Sequence, residues 1–218
     1  MMPHLDAIFA VALAGFALSA TPGPSMLYVA SRSIGQSQSA GLASALGLGL
    51  GGVLLAVATA FGLATVFAQF DWVVEVLRVV GSAYLVWLGV DMIRTARKSS
   101  QLSLEASEVA REPFHRIVWQ GILVELLNPK TVLFFALFLP PFIDSGAGQV
   151  SAEDVRLQFL VLGALVPLTA VPSDIVVAVM GSTVTRALSH QQRLRERLAW
   201  VGGLILIGIA VNLFAGVV

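Results

Sequence analysis

Apolar residues in this chain gather into long blocks separated by short polar joints. The blocks are too long for the alternating pattern of a soluble domain. A helix needs about 20 apolar residues to cross a bilayer. Six runs reach that length, at approximately 7–30, 42–67, 73–93, 117–140, 159–183 and 198–217. One joint is longer than the rest: residues 95–116 are polar and rich in Ser, Glu and Arg. The pattern predicts an all-α integral membrane protein with a single transmembrane domain over 1–218. Half one covers about 1–94, the polar loop about 95–116 and half two about 117–218, so each half holds three transmembrane helices.

The halves echo each other. In the third run Gly81 precedes Asp91 by ten residues, and in the sixth Gly202 precedes Asn212 by ten. The second and fifth runs are rich in small residues and contain helix breakers. Because three is odd, two such halves must lie in opposite orientations, which predicts two inverted three-helix repeats. Positive charge fixes the orientation. The joints after runs one, three and five hold ten Lys and Arg residues, Arg32, Arg94, Arg116 and Arg197 among them, against Arg78 and Arg156 on the other side. The richer side is expected in the cytoplasm, with both termini outside it. A five-span layout with one run re-entrant is the alternative. The sequence Ala17-Leu18-Ser19-Ala20 resembles a signal cleavage site, but residues 1–6 carry no Lys or Arg. An uncleaved first span is therefore expected.

Two stretches break the helix code inside these runs: Thr21-Pro22-Gly23-Pro24 and Asn128-Pro129-Lys130. Proline lacks a backbone donor and clashes with the carbonyl four residues back, so each stretch frees backbone polar groups. In hydrocarbon those groups must find protein, water or a solute. Each stretch lies in the opening run of its half, and paired interruptions of this kind are a sequence pointer to a transporter's binding site. Two prolines around a glycine should unwind a turn, exposing carbonyls before it and the positive dipole end of a half-helix after it. A carboxylate suits the dipole end, and an ammonium group suits the carbonyls. Packing or gating alone is the competing account.

Charged residues inside the runs are few. Lys130 lies near mid-span, where a charge costs about 2.5–3.5 kcal/mol on insertion scales, so it should face protein or water. Glu125 precedes it by five residues, roughly 140° away on an unbroken helix of 3.6 residues per turn, so pairing between them depends on the break. A bond from Lys130 to carbonyls of another span is the alternative. Asp174, beside Pro172 in the fifth run, is a candidate proton carrier or a structural partner of Lys130. Asp91 lies near a span end, three residues before Arg94, where an ion pair accounts for it. Gly47-Leu48-Gly49-Leu50-Gly51-Gly52 fits a dinucleotide fingerprint in letters only, since it sits within one apolar run and lacks the preceding strand. Close helix packing through Gly41, Ser44, Gly47 and Gly51 is expected there instead. Trp72 and Trp119 fall at span ends, where indoles anchor.

Composition narrows the function classes. Charged residues are 12% of the chain, about half of the roughly 25% usual in soluble domains, and mean hydropathy is +0.87. Formal net charge is zero, so no basic surface points to nucleic acid. The chain has no cysteine, and His4, His115 and His190 lie outside the runs on no common face. Neither a metal site nor a nucleophile–base pair can be assembled from these residues, so no cofactor and no enzyme activity are expected.

With the breaks stand the glycine-rich 41–52 segment, Gly81-Ser82-Ala83-Tyr84-Leu85-Val86-Trp87-Leu88-Gly89, and Phe134-Phe135 with Phe138-Leu139-Pro140. Together they make the chain resemble the LysE/RhtB family of small bacterial amino-acid exporters along nearly its whole length. It departs from that pattern at Pro141, where relatives commonly place a glutamine before Phe142. The resemblance implies efflux of an amino acid or close derivative across the bacterial cytoplasmic (inner) membrane, coupled to protons, by antiport. It also admits a homodimer. It assigns the family's fifth-span aspartate to Asp174 and its asparagine-proline-lysine to Asn128, Pro129 and Lys130. The resulting expectation is alternating access around a site walled by Thr21, Pro22, Gly23 and Pro24 on one side and Asn128, Pro129 and Lys130 on the other. Asp174 and Glu125 would handle the proton or the substrate ammonium. A channel for a small polar solute and a non-transporting scaffold subunit are the rivals.

Overall fold

The computed structural model describes residues 2–20, 23–69, 71–98, 112–144, 151–190 and 192–215. Those residues are helical apart from short joints. Half one contains α1 (Leu5–Ser19), α2 (Pro24–Gly35), α3 (Gln38–Gln69) and α4 (Asp71–Lys98). Half two contains α5 (Phe114–Leu126), α6 (Pro129–Leu133), a π-helical turn (Phe134–Phe138), a 3-10 turn (Pro140–Phe142), α7 (Ala152–His190) and α8 (Gln192–Phe214). Each half thus opens on a bent helix pair and continues with two long helices. The bends are 51° between α1 and α2 and 50° between α5 and the Pro129–Phe142 segment.

Proline and its caps explain the bends. Pro24 occupies the first turn of α2 behind an extended Gly23, and Pro129 opens α6 behind Asn128. Proline suits the first helical position because its missing N–H would have no partner there anyway. Asn128 caps α6 by accepting a hydrogen bond from the Lys130 amide at 3.1 Å, as N-cap asparagines do. Pro167 and Pro172 behave differently. They were expected to loosen the fifth run, yet α7 passes through both without interruption. A lone proline in a membrane helix is tolerated when neighbours resatisfy the backbone.

Among the described residues two helices are long and apolar enough to cross a membrane, or four if each bent pair is one span. In α4 and α8 the apolar stretches are shorter, Val79–Asp91 and Ala199–Asn212. Trp72 and Trp119 are both well exposed, as membrane anchors would be.

The long helices pack across the halves, α3 on α7 and α4 on α8, with α5 against α3 and α1 against α7. Small residues permit this closeness. A Cβ at Gly121 would lie 3.0 Å from the Gly47 Cα, and one at Gly47 would run into the Val118 carbonyl. A Cβ at Gly41 would lie 3.2 Å from the Ala178 Cα, and one at Gly51 3.0 Å from the Ile122 carbonyl. The small face of α3 is therefore a packing surface. Gly47→Val is expected to destabilise the protein by about 1–3 kcal/mol through overpacking. Gly62, with nothing near its Cβ position, should accept alanine without effect. Thermal unfolding of the purified variants checks both.

Buried apolar residues divide into three clusters along the helix axes. The largest joins α1 from Ala7 to Leu18, the Phe134, Phe135 and Phe138 rings, and α7 from Val155 to Val166. Two small ones lie at the opposite end, around Val29, Ala45 and Ala178 and around Ala40, Ala43 and Ile117. Polar ties supplement the small ones. Arg32 Nη2 donates to Gln120 Oε1 at 2.6 Å and Gln36 Nε2 to the Glu112 carbonyl at 2.7 Å, tying α2 to the start of half two.

Candidate functional site

Between the large cluster and the small ones the helices leave a cavity, with about 650 Å³ of space between atoms including its open side. Its position follows from the chain itself. Along α3 the lining runs from Leu48, at the edge of a small cluster, to Gly52, and along α7 from Val166, at the edge of the large cluster, to Asp174. Both breaks open onto the same space.

The cavity's polar side chains are Ser19, Ser25, Glu125, Asn128, Lys130, Thr131 and Asp174. Four of them, Ser25, Glu125, Asn128 and Thr131, are knitted together by side-chain hydrogen bonds. The Ser25 hydroxyl donates to Glu125 Oε2 at 2.6 Å, and Asn128 Nδ2 donates to Ser25 Oγ at 2.9 Å. The Thr131 hydroxyl donates to Glu125 Oε1 at 2.9 Å. Both carboxylate oxygens of Glu125 are thus bound by hydroxyls, one from each bent pair. Lys130 Nζ donates to the Leu18 carbonyl at 2.9 Å. That carbonyl lies four residues before Pro22, which has no N–H to offer it. The lysine of the second break therefore satisfies a carbonyl orphaned by the first. The Tyr84 hydroxyl in turn donates to the Lys130 carbonyl at 3.1 Å.

Asp174 stands apart. It is 8% exposed, lines the cavity and has no hydrogen-bond partner among the described residues. A carboxyl so placed can exchange a proton or meet a solute cation without first breaking a protein contact. The first turn of α2 also faces the space, and no side chain caps it at Gly23. Its dipole end remains available to an anion. The matching end of α6 is occupied, since its Lys130 amide is bound by Asn128.

Set against the sequence expectations, the structure brings Gly23, Pro24, Asn128, Lys130, Glu125 and Asp174 to one cavity. Pro129 is exposed and does not line it. Thr21 and Pro22 lie outside the described residues. Two pairings do not form: Lys130 makes no ion pair with Glu125 or with Asp174, because its ammonium is turned to Leu18 and Glu125 is held by Ser25 and Thr131. Ser25, Thr131 and Tyr84 escaped the sequence reading. For Ser25 and Thr131 the sequence offers only a hydroxyl in the first turn after each break, too common a feature to single them out, and for Tyr84 it offers no local signal.

The family model for the LysE type translocator matches residues 16–216. A leucine efflux protein of Enterobacter sp. (strain 638) is 29% identical over 91% of this chain and 90% of its own. A threonine efflux protein of Escherichia coli (strain K12) is 26% identical over 90% of this chain and 87% of its own. An uncharacterized membrane protein of Pseudomonas aeruginosa is 29% identical over 88% and 87% respectively. No solved structure matches. Because the match runs over nearly the whole chain, with both breaks inside it, the chain belongs to the LysE type translocators.

Proposed function

We propose that this protein exports an amino acid or a close derivative across the bacterial cytoplasmic membrane, by proton-coupled antiport with alternating access. One observation carries the reading: a cavity lined by both bent pairs holds an ammonium, two carboxyls and an uncapped helix N-terminus beside an apolar wall. That set is complementary to a zwitterion. The substrate carboxylate would face Lys130 and the first turn of α2, and its ammonium would face Asp174 and Glu125. Leucine and threonine efflux by the named relatives agrees with this. Six spans in two inverted halves would put the arginine-rich end, with Arg32 and Arg116, in the cytoplasm. Rocking of one half against the other would then expose the cavity to each side in turn.

Counterflow in reconstituted vesicles against a panel of amino acids tests the proposal. Trans-stimulated uptake of at least one of them, and uphill movement driven by an imposed proton gradient, are the expected results. Flux that only runs downhill would make the protein a channel. Absence of any flux from folded protein would make it a scaffold.

A further inference from the structure

The cavity is polar on one side only. Its α3 wall consists of Leu48, Gly49 and Gly52, and its α7 wall, up to Asp174, of Val166, Pro167, Ala170 and Val171. No side chain in these two walls can donate or accept a hydrogen bond. A charged side-chain terminus placed there would lose its hydration without compensation, which polar and above all charged groups tolerate poorly. An aliphatic side chain would lose nothing. The two glycines set how much room it finds. A Cβ at Gly49 would come within 2.9 Å of Val171 Cγ2, and one at Gly52 within 3.0 Å of Pro167 Cβ. The valine methyl can rotate away, and the space beside it is the cavity.

Resting on the export reading above, we infer that this wall is the side-chain subsite: it takes an uncharged aliphatic side chain, and Gly49 facing Val171 gauges its size. A methyl added at position 49 and the valine methyl it displaces both take volume from the subsite. Larger side chains suffer while the polar end, which holds the amino and carboxyl groups, is untouched. One methylene in an apolar pocket changes discrimination by roughly 10–200-fold.

The experiment is counterflow of labelled leucine and labelled alanine in vesicles, with unlabelled valine, lysine and arginine as competitors. For the wild-type protein, valine is expected to compete with leucine and the two cationic amino acids are not. In Gly49→Ala the leucine-to-alanine ratio of initial rates is expected to fall by about tenfold or more. Val171→Ala in the same chain should restore it, and Val171→Ala alone should raise the ratio. The single Val171→Ala variant keeps the test intact if Gly49→Ala folds poorly. Competition by lysine as strong as that by valine overturns the inference, as does an equal loss of leucine and alanine in Gly49→Ala. A wild-type protein that moves no amino acid overturns the export reading and this inference with it. Selective transport that ignores positions 49 and 171 overturns the inference alone.

Discussion

Asp174→Asn is expected to abolish uphill export while the amount of folded protein in the membrane stays at the wild-type level. The substitution keeps the shape of the side chain and removes only its ability to ionise. Because the carboxyl has no hydrogen-bond partner among the described residues, no protein contact is lost with the charge. A purely structural aspartate would show the reverse pattern, with lower stability and normal transport by the surviving protein. The two functional roles also separate. If Asp174 carries the proton, Asp174→Asn should still exchange substrate for substrate, since exchange moves no net proton. If it holds the substrate ammonium, exchange falls together with uphill export. Full uphill activity in Asp174→Asn vesicles would falsify both roles.

Lys130→Met is expected to be the second large effect, and a double one. The ammonium now bonds the Leu18 carbonyl at 2.9 Å, and a hydrogen bond from a charged donor contributes about 1.5–3 kcal/mol. Removing it leaves a carbonyl that Pro22 cannot serve, so thermal stability should fall. A substrate carboxylate would lose a contact of similar strength, which corresponds to roughly 10- to 150-fold weaker apparent affinity. Initial rates against substrate concentration, on protein that has been shown to be folded, distinguish the two consequences. A lysine that is only a tie between the bent pairs gives a lower melting temperature with an unchanged apparent KM.

Much of this arrangement was legible in the sequence, for reasons that differ from residue to residue. Pro22-Gly23-Pro24 and Asn128-Pro129 could be read because a proline next to glycine or to a capping asparagine stops a helix by local chemistry alone. Lys130, Glu125 and Asp174 could be read because a charge within an apolar run must have a protein or water partner. Which partner is a tertiary question. The orphaned Leu18 carbonyl follows from counting back from Pro22, but nothing local says that a lysine from the other half will reach it. Ser25 and Thr131 were invisible for the opposite reason, since hydroxyls are common in helix first turns and acquire meaning only when Glu125 arrives between them. Pro167 and Pro172 were overread as breakers. Neither is preceded by a glycine or a capping residue that could fix a new chain direction, since Val166 and Val171 stand before them, and packing against α3 and α1 holds α7 on course.

The uneven placement of the buried clusters bears on the working cycle. Parting the end that contains Phe134, Phe135 and Phe138 means wetting aromatic rings, at about 1.5–3 kcal/mol for each fully exposed side chain. Parting the opposite end wets mainly alanines and valines and trades the Arg32–Gln120 and Gln36–Glu112 bonds for bonds to water. An unloaded molecule would thus spend most of its time ajar at the arginine-bearing mouth. Under the alternating access proposed above, with that mouth in the cytoplasm, cargo would enter there, and the greasy seal at the far end would set the resting posture and make outward release the strenuous half of the stroke.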